Sequence, residues 1–309
     1  MNTSEFEAEV LAGERFEFGK NWQRFLSVLN EDRVREAQRS LGSMLGVSTL
    51  AGKTFLDIGS GSGLFSLAAM RLGAERVHSF DFDPQSVACA RELRRRYFDG
   101  CDRWTVEQGS VLDVDYLRCL GEWDIVYSWG VLHHTGDMWA ALRNVAPLVR
   151  ASGTLFLAIY NDQGGVSRVW KAIKHAYNKH LLTRWLISGL VIPFFFLLGG
   201  LVVDLLRMRN PLTRYREYKN HRGMSWVHDW FDWLGGYPFE VARPEEIFDF
   251  YRRQGFVLER LKTVGGRLGC NEFVFRKAPV EVATVQELRT NSEEKVAEAA
   301  PLAHLETAS

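Results

Sequence analysis

Metal-ligand patterns are missing from this chain. Its four cysteines, Cys89, Cys101, Cys119 and Cys270, are scattered, with no C-x-x-C pair and no histidine at metal-ligand spacing. They read as reduced cytosolic thiols. Net charge is missing too: 38 Lys and Arg residues are matched by 38 Asp and Glu. The totals therefore lack the electrostatic footprint of a nucleic-acid binder. Met1 to Val10 is acidic and polar rather than basic then apolar, so a secretory signal is not expected and the cytoplasm is the expected location. What the chain does have is 309 residues at 46% hydrophobic content, enough for one large core with an elaboration.

Along the chain, a short frayed start gives way to a helical pattern in which Val34, Ala37, Leu41 and Leu45 recur before Gly46 stops it. This reads as a helical cap over residues 1–50. From Lys53 onward, short apolar runs alternate with amphipathic helices. Thr54 to Ile58, Arg76 to Phe80, Trp104 to Glu107, Asp124 to Ser128 and Thr154 to Tyr160 are the expected strands, with helices at Leu64 to Leu72, Pro84 to Tyr97 and Met138 to Val149. Such alternation implies right-handed βαβ units and an α/β, doubly wound, mainly parallel sheet. After an interruption at 161–242, a helix at Pro244 to Gln254 precedes two strands, Gly255 to Val264 and Cys270 to Lys277. The connection between these strands is too short for a parallel crossover, so the pair is antiparallel. The core thus spans 51–160 and 243–278. The tail, 279–309, is rich in Ala, Glu, Thr and Ser without periodicity, and is expected to be disordered.

The first chemical motif is FLDIGSGSG, from Phe55 to Gly63. An apolar strand delivers the backbone into a loop whose glycines, Gly59, Gly61 and Gly63, let a ligand approach the main chain without meeting a Cβ. A dinucleotide fingerprint would need glycine where Leu64 stands, and no Lys-Ser or Lys-Thr pair follows for a P-loop. Strand two ends at Asp81, an acid placed to accept both hydroxyls of a ribose. Asp83-Pro84 reads as a helix cap followed by a first-turn proline.

These features, with the antiparallel last strand, resemble the class I SAM-dependent methyltransferases, where SAM is S-adenosylmethionine. The resemblance covers about Lys53 to Lys277. It implies a Rossmann-like sheet of seven strands with a helical insertion after strand five. It also implies that Asp57, Gly59, Ser60, Gly61 and Gly63 surround the methionine part of SAM, that Asp81 binds the ribose, and that Gly109 to Leu112, including Val111 and Leu112, lie along the adenine. Phe82 and Trp129 complete the implied cofactor set.

Strand four runs on into Ser128 to Thr135, and its Leu132-His133-His134 run resembles the small-molecule, quinone-methylase-like branch. His133 or His134 could take a proton from a hydroxyl or amine acceptor. Equally, His134 could cap the next helix or satisfy a backbone carbonyl, because many methyl transfers need only in-line positioning. The loop supplies no carboxylate until Asp137, so no metal is expected.

The interruption at 161–242 is the unusual feature. Trp185 to Val203 carries no charged residue and is flanked by Lys171, Lys174, Lys179 and Arg184 before it, and by Arg207, Arg209, Arg214 and Arg216 after it. One crossing would separate two halves of a folded sheet, so two readings stay open. One is a monotopic hairpin contacting the inner face of the cytoplasmic membrane through 185–203. The other is a lid buried against the domain or against a second subunit of an oligomer. Further on, Trp226 and His228 lie in a dense aromatic stretch that could line an acceptor pocket with Tyr160, or could form the insertion's own core.

The sequence therefore predicts a SAM-dependent methyltransferase acting on oxygen or nitrogen of a small, membrane-partitioning acceptor. An RNA or protein methyltransferase is the second reading, kept open by Arg94-Arg95-Arg96, which could equally be a solvated helix face. The third is a non-catalytic SAM-binding module.

Overall fold

In the computed structural model, the described residues are 3–194 and 233–279, together with 202 and 208. Contacts divide the chain into units of residues 1–277 and 278–309. The expected tail lies, from residue 280, outside the described residues.

Seven strands form one sheet: β1 (Thr54–Ile58), β2 (Arg76–Asp81), β3 (Trp104–Gln108), β4 (Trp123–Trp129), β5 (Val149–Tyr160), β6 (Phe256–Lys262) and β7 (Cys270–Lys277). Their order across the sheet is β3-β2-β1-β4-β5-β7-β6. β1 to β5 pair in parallel, and β7 runs antiparallel to both β5 and β6. The helices are α1 (Thr3–Leu11), α2 (Phe18–Val28), α3 (Glu31–Leu45), α4 (Leu64–Arg71), α5 (Pro84–Tyr97), α6 (Val114–Leu120), α7 (Met138–Val145), α8 (Gly165–Lys179), α9 (Leu181–Phe194) and α10 (Pro244–Arg252).

Local chemistry sets many of these boundaries. Asn30 caps α3 by accepting the Arg33 N–H at 3.1 Å, and Gly46 ends it in the left-handed region at φ 71°. Asp83 and Pro84 start α5. Alternation along β1 sends Phe55 into the apolar layer beneath α3, α4 and α5, and sends Leu56 and Ile58 into the layer that α7 and α10 cover. A third, smaller core joins Phe16, Trp170, Tyr177, Leu234 and Phe239.

Four differences from the sequence reading have physical reasons. The start of the helical cap, expected to be short and frayed, folds as α1 and α2, and Phe25 and Leu26 of α2 are buried in the core under the sheet. An unpredicted helix, α6, is capped by Asp113, which accepts the Tyr116 N–H at 3.1 Å. The helix expected to reach Val149 stops at Val145 and passes into a 3-10 turn, Ala146–Leu148, because Pro147 has no N–H to donate. β5 begins at Val149 rather than Thr154, with a register shift opposite Trp123 to Ile125. Inside the interruption, the described residues form α8 and α9, and none of their helices is long and apolar enough to cross a membrane. Most of 195–203 lies outside the described residues.

Candidate active site

Strand order reverses between β1 and β4, and a doubly wound sheet opens its ligand crevice beyond the carboxyl ends of the strands at that point. A cavity of about 900 Å³ lies there. Its wall takes Asp57 to Ser62 from the end of β1, Phe80 to Asp83 from β2, Gly109 to Leu112 after β3, and Tyr127 and Trp129 to Val131 from β4. Tyr160 ends β5 and Cys270 begins β7 on the same wall.

The glycine loop is packed as well as open. Gly59 has φ 71° and Gly61 φ 54°, a region that L side chains rarely adopt. A Cβ on Gly59 would sit 2.3 Å from the Val131 side chain, and one on Gly61 would sit 2.9 Å from the Trp22 indole nitrogen. The backbone of the loop lines the cavity while its Cβ directions are filled by protein. Gly63 does not line the cavity; its Cβ position is closed off by Ala90 at 2.8 Å.

Asp81 holds the loop from the tip of β2. One carboxylate oxygen accepts the Gly61 N–H at 2.8 Å and the other accepts the Asp83 N–H at 2.9 Å. Burial and the neighbouring Asp83 carboxylate push the Asp81 carboxyl up to about 7, against those two donors. Asp83 caps α5, as its spacing predicts, accepting the Gln85 N–H at 2.8 Å. It also accepts the Gly19 N–H at 2.6 Å and so fastens α2 to the site. Asp57 is buried and accepts a hydrogen bond from Ser66, whose hydroxyl lies 2.7 Å from that of Ser79.

The two histidines part company. His134 lines the cavity, whereas His133 is fully buried behind the wall. His134 Nδ1 lies 2.6 Å from the Pro238 carbonyl oxygen. Nδ1 must therefore donate, and Nε2 carries the lone pair. Burial drives the His134 imidazole down to about 3, helped by the positive charges of Lys174 and Arg15 and opposed by the Pro238 bond. His133 Nδ1 accepts the Tyr160 N–H at 3.4 Å. Its Nε2 is buried with no hydrogen-bond partner among the described residues. Burial, then His134 and Lys174, hold it well below the usual histidine range.

The wall also draws on residues outside the sheet's carboxyl ends. Phe6, Glu9, Arg15, Phe16, Phe18 and Trp22 come from the N-terminal segment. Arg15 pairs with Glu9, donates to the His134 carbonyl at 3.1 Å and lies over the Phe82 ring at 4.8 Å. Trp233 enters from the last part of the interruption, at the end of the aromatic stretch that the sequence offered as an acceptor-pocket lining or as the insertion's own core, and Arg267 to Gly269 come from the β6–β7 turn. That turn is fixed by amides: Asn271 donates to Asn161 at 3.0 Å, and Gln163 donates to the Gly266 carbonyl at 2.7 Å. The cluster Gly265, Gly266, Gly269 was its signal in the sequence, marking a turn between strands without saying what it faces. Trp226 and His228 lie outside the described residues.

The residues present fit SAM. Ser60, at the glycine loop, has a buried hydroxyl with no partner among the described residues, which leaves one polar group for a ligand to satisfy. The Asp81 carboxylate lines the same cavity.

Residues 56–155 match a family described as a methyltransferase domain. Among curated proteins, the ribosomal protein L11 methyltransferase of Alteromonas mediterranea is 53% identical over 47 residues, covering 15% of this chain and 16% of that protein. The one from Anoxybacillus flavithermus is 31% identical over 117 residues, covering 34% and 37%. The chain thus spans well under half the length of these relatives. Among solved structures, magnesium protoporphyrin IX methyltransferase from Synechocystis with bound SAH aligns at a TM-score of 0.48 and 15% identity over 84% of this chain and 94% of that one. An O-methyltransferase family protein from Burkholderia thailandensis aligns at 0.47 and 15% over 85% and 69%. The match to a methyltransferase domain, residues 56–155, takes in the glycine loop and strands β2 to β4, whose carboxyl ends wall the cavity.

Proposed function

We propose that the chain transfers the methyl group of SAM to an oxygen or nitrogen of a small, lipophilic acceptor, and that it works at a membrane face. The observation that carries this reading is the continuity of one cavity from Asp81 to Phe16, Phe18, Tyr160 and Trp233. Asp81 ends β2 and Tyr160 ends β5, three strand spacings apart in the sheet, roughly 14 Å. The first end is carboxylate and glycine; the other is aromatic. Donor and acceptor then lie in one water-poor space.

In this reading Asp81 would accept the ribose hydroxyls, the Ser60 hydroxyl and the bare backbone of the glycine loop would hold the methionine end together with Asp57, and Val111 and Leu112 would lie along the adenine, with Phe82 and Trp129 also lining the cofactor end. Bound SAM supplies a methyl group already activated by its sulfonium, so the chain's own work is alignment, exclusion of water and removal of a proton. His134 is the group placed for the last task. Its Nδ1–H is engaged by Pro238, and a pKa of about 3 keeps Nε2 unprotonated at working pH. A base this weak suits an acceptor that loses its proton only as the new bond forms.

A macromolecular acceptor is the second reading, supported by the short stretches shared with ribosomal protein L11 methyltransferases. The aromatic end of the cavity favours the small one. Incubation with methyl-labelled SAM and fractionated cell extract separates them. The proposal expects label in organic-extractable small molecules; label confined to ribosomal protein or RNA overturns it.

A further inference from the structure

α9 wears its large apolar side chains on the outside. Ile187 and Val191 pack inward on the small core around Trp170 and Tyr177. Leu181, Leu182, Trp185, Leu186, Leu190 and Phe194 are all exposed, Trp185 at 72% and Leu190 at 74%. Neighbouring α8 adds Val166 and Val169, exposed as well. Single exposed apolar residues are ordinary, but a contiguous face of them marks an interaction site.

Charge says what the face fits. From Gln163 to Val203 the sequence contains no Asp or Glu, although the chain as a whole is neutral. Arg168, Lys171 and Lys179 are exposed on α8. Arg184, exposed on α9, lies over the rings of Phe16 and Tyr177. Glu14 reaches His175 of α8 at 4.0 Å, but every charge that the two helices themselves carry is a cation, and an apolar helix face with cations on its own elements complements a sheet of hydrocarbon beneath anionic headgroups.

We propose that the α8–α9 face docks on an anionic phospholipid surface. The inner side of the same helix pair leads to the cavity: Trp170 and Tyr177 pack in one cluster with Phe16 and Phe239, against Tyr160 and Trp233, and Phe16, Tyr160 and Trp233 line the acceptor end. Docking places that end next to the bilayer, from which a lipophilic acceptor can enter. This use of the face rests on the function proposed above; the docking is read without turnover and stands or falls separately.

The test is flotation of the full chain with phosphatidylcholine vesicles, with and without phosphatidylglycerol, beside its sedimentation velocity without lipid. The wild type should float with the phosphatidylglycerol vesicles, and less so as salt rises. A Leu182→Ser/Trp185→Ser/Leu190→Ser variant should lose at least tenfold in binding with its melting temperature unchanged, because these side chains are exposed. An Arg168→Gln/Lys171→Gln/Lys179→Gln variant should lose about fivefold per charge removed. Wild type left unbound by both vesicles, or a triple-Ser variant that floats as well as wild type, overturns the proposal. A lipid-free dimer that the triple-Ser variant dissociates would also overturn it, since a second copy would then cover the face.

Discussion

His133 and His134 are adjacent in sequence, and the fold gives them different surroundings. His134 touches the cavity and spends Nδ1 on the Pro238 carbonyl, while His133 stands behind Tyr160, their rings 4.1 Å apart. The sequence allowed a base or a cap at His134, and the geometry shows a histidine that already holds a carbonyl and keeps a second nitrogen in reserve. A His134→Gln variant separates the roles, because an amide can still donate to Pro238 but has no basic nitrogen. If His134 takes the acceptor's proton, the variant should fold with near-native stability and bind SAM normally while losing roughly 10²- to 10⁴-fold in turnover. Since the wild-type imidazole titrates near 3, it should put no limb in the rate profile at neutral pH. Full turnover in His134→Gln would leave alignment alone as the chemistry.

At the scale of elements, α2 is the cover of the cofactor end. Gly19 sits against the start of α5 so closely that a Cβ would lie 2.5 Å from that of Gln85. Gly19→Ala should therefore lift α2 from Asp83 and carry Trp22 off Gly61, at a cost of about 1–3 kcal/mol. The expected signs are a lower melting temperature, faster amide exchange across residues 18–28 and weaker SAM binding; unchanged exchange there would contradict the role. The same element shows where sequence reasoning stopped. β1, the glycine loop, the Asp83 cap and the β6–β7 pair were legible because each is fixed by neighbours within a few residues. The apolar residues of α1 and α2 acquire meaning only against partners far along the chain: Phe6 meets Phe82, and Trp22 meets Gly61. The β6–β7 turn was read as a turn, yet its place over the cavity depends on Asn161, just past the end of β5, accepting from Asn271, a pairing no local pattern announces.

For the whole molecule, a neutral total charge hides an uneven distribution, carboxylates gathered at the end of β2 and an acid-free stretch around α8 and α9. The carboxylate end reports on the assembled cavity. Asp81 has an ordinary pKa of 3.8 and a folded value of about 7, so the native state holds more protons across that interval. Asp81 therefore lowers the stability of the free protein as pH rises from about 4 to about 7. Ribose hydroxyls donating to the carboxylate favour its charged form and pull the value back down. The central claim, that SAM is held at the switch point by Asp81, is tested most directly by calorimetric titration of SAM at about pH 6 in buffers of different ionisation enthalpy. The account predicts micromolar binding that releases close to one proton in wild type, and in Asp81→Ala a loss of about 1.5–3 kcal/mol together with the proton release. Binding in Asp81→Ala at wild-type affinity, or a wild-type heat independent of buffer, would contradict it.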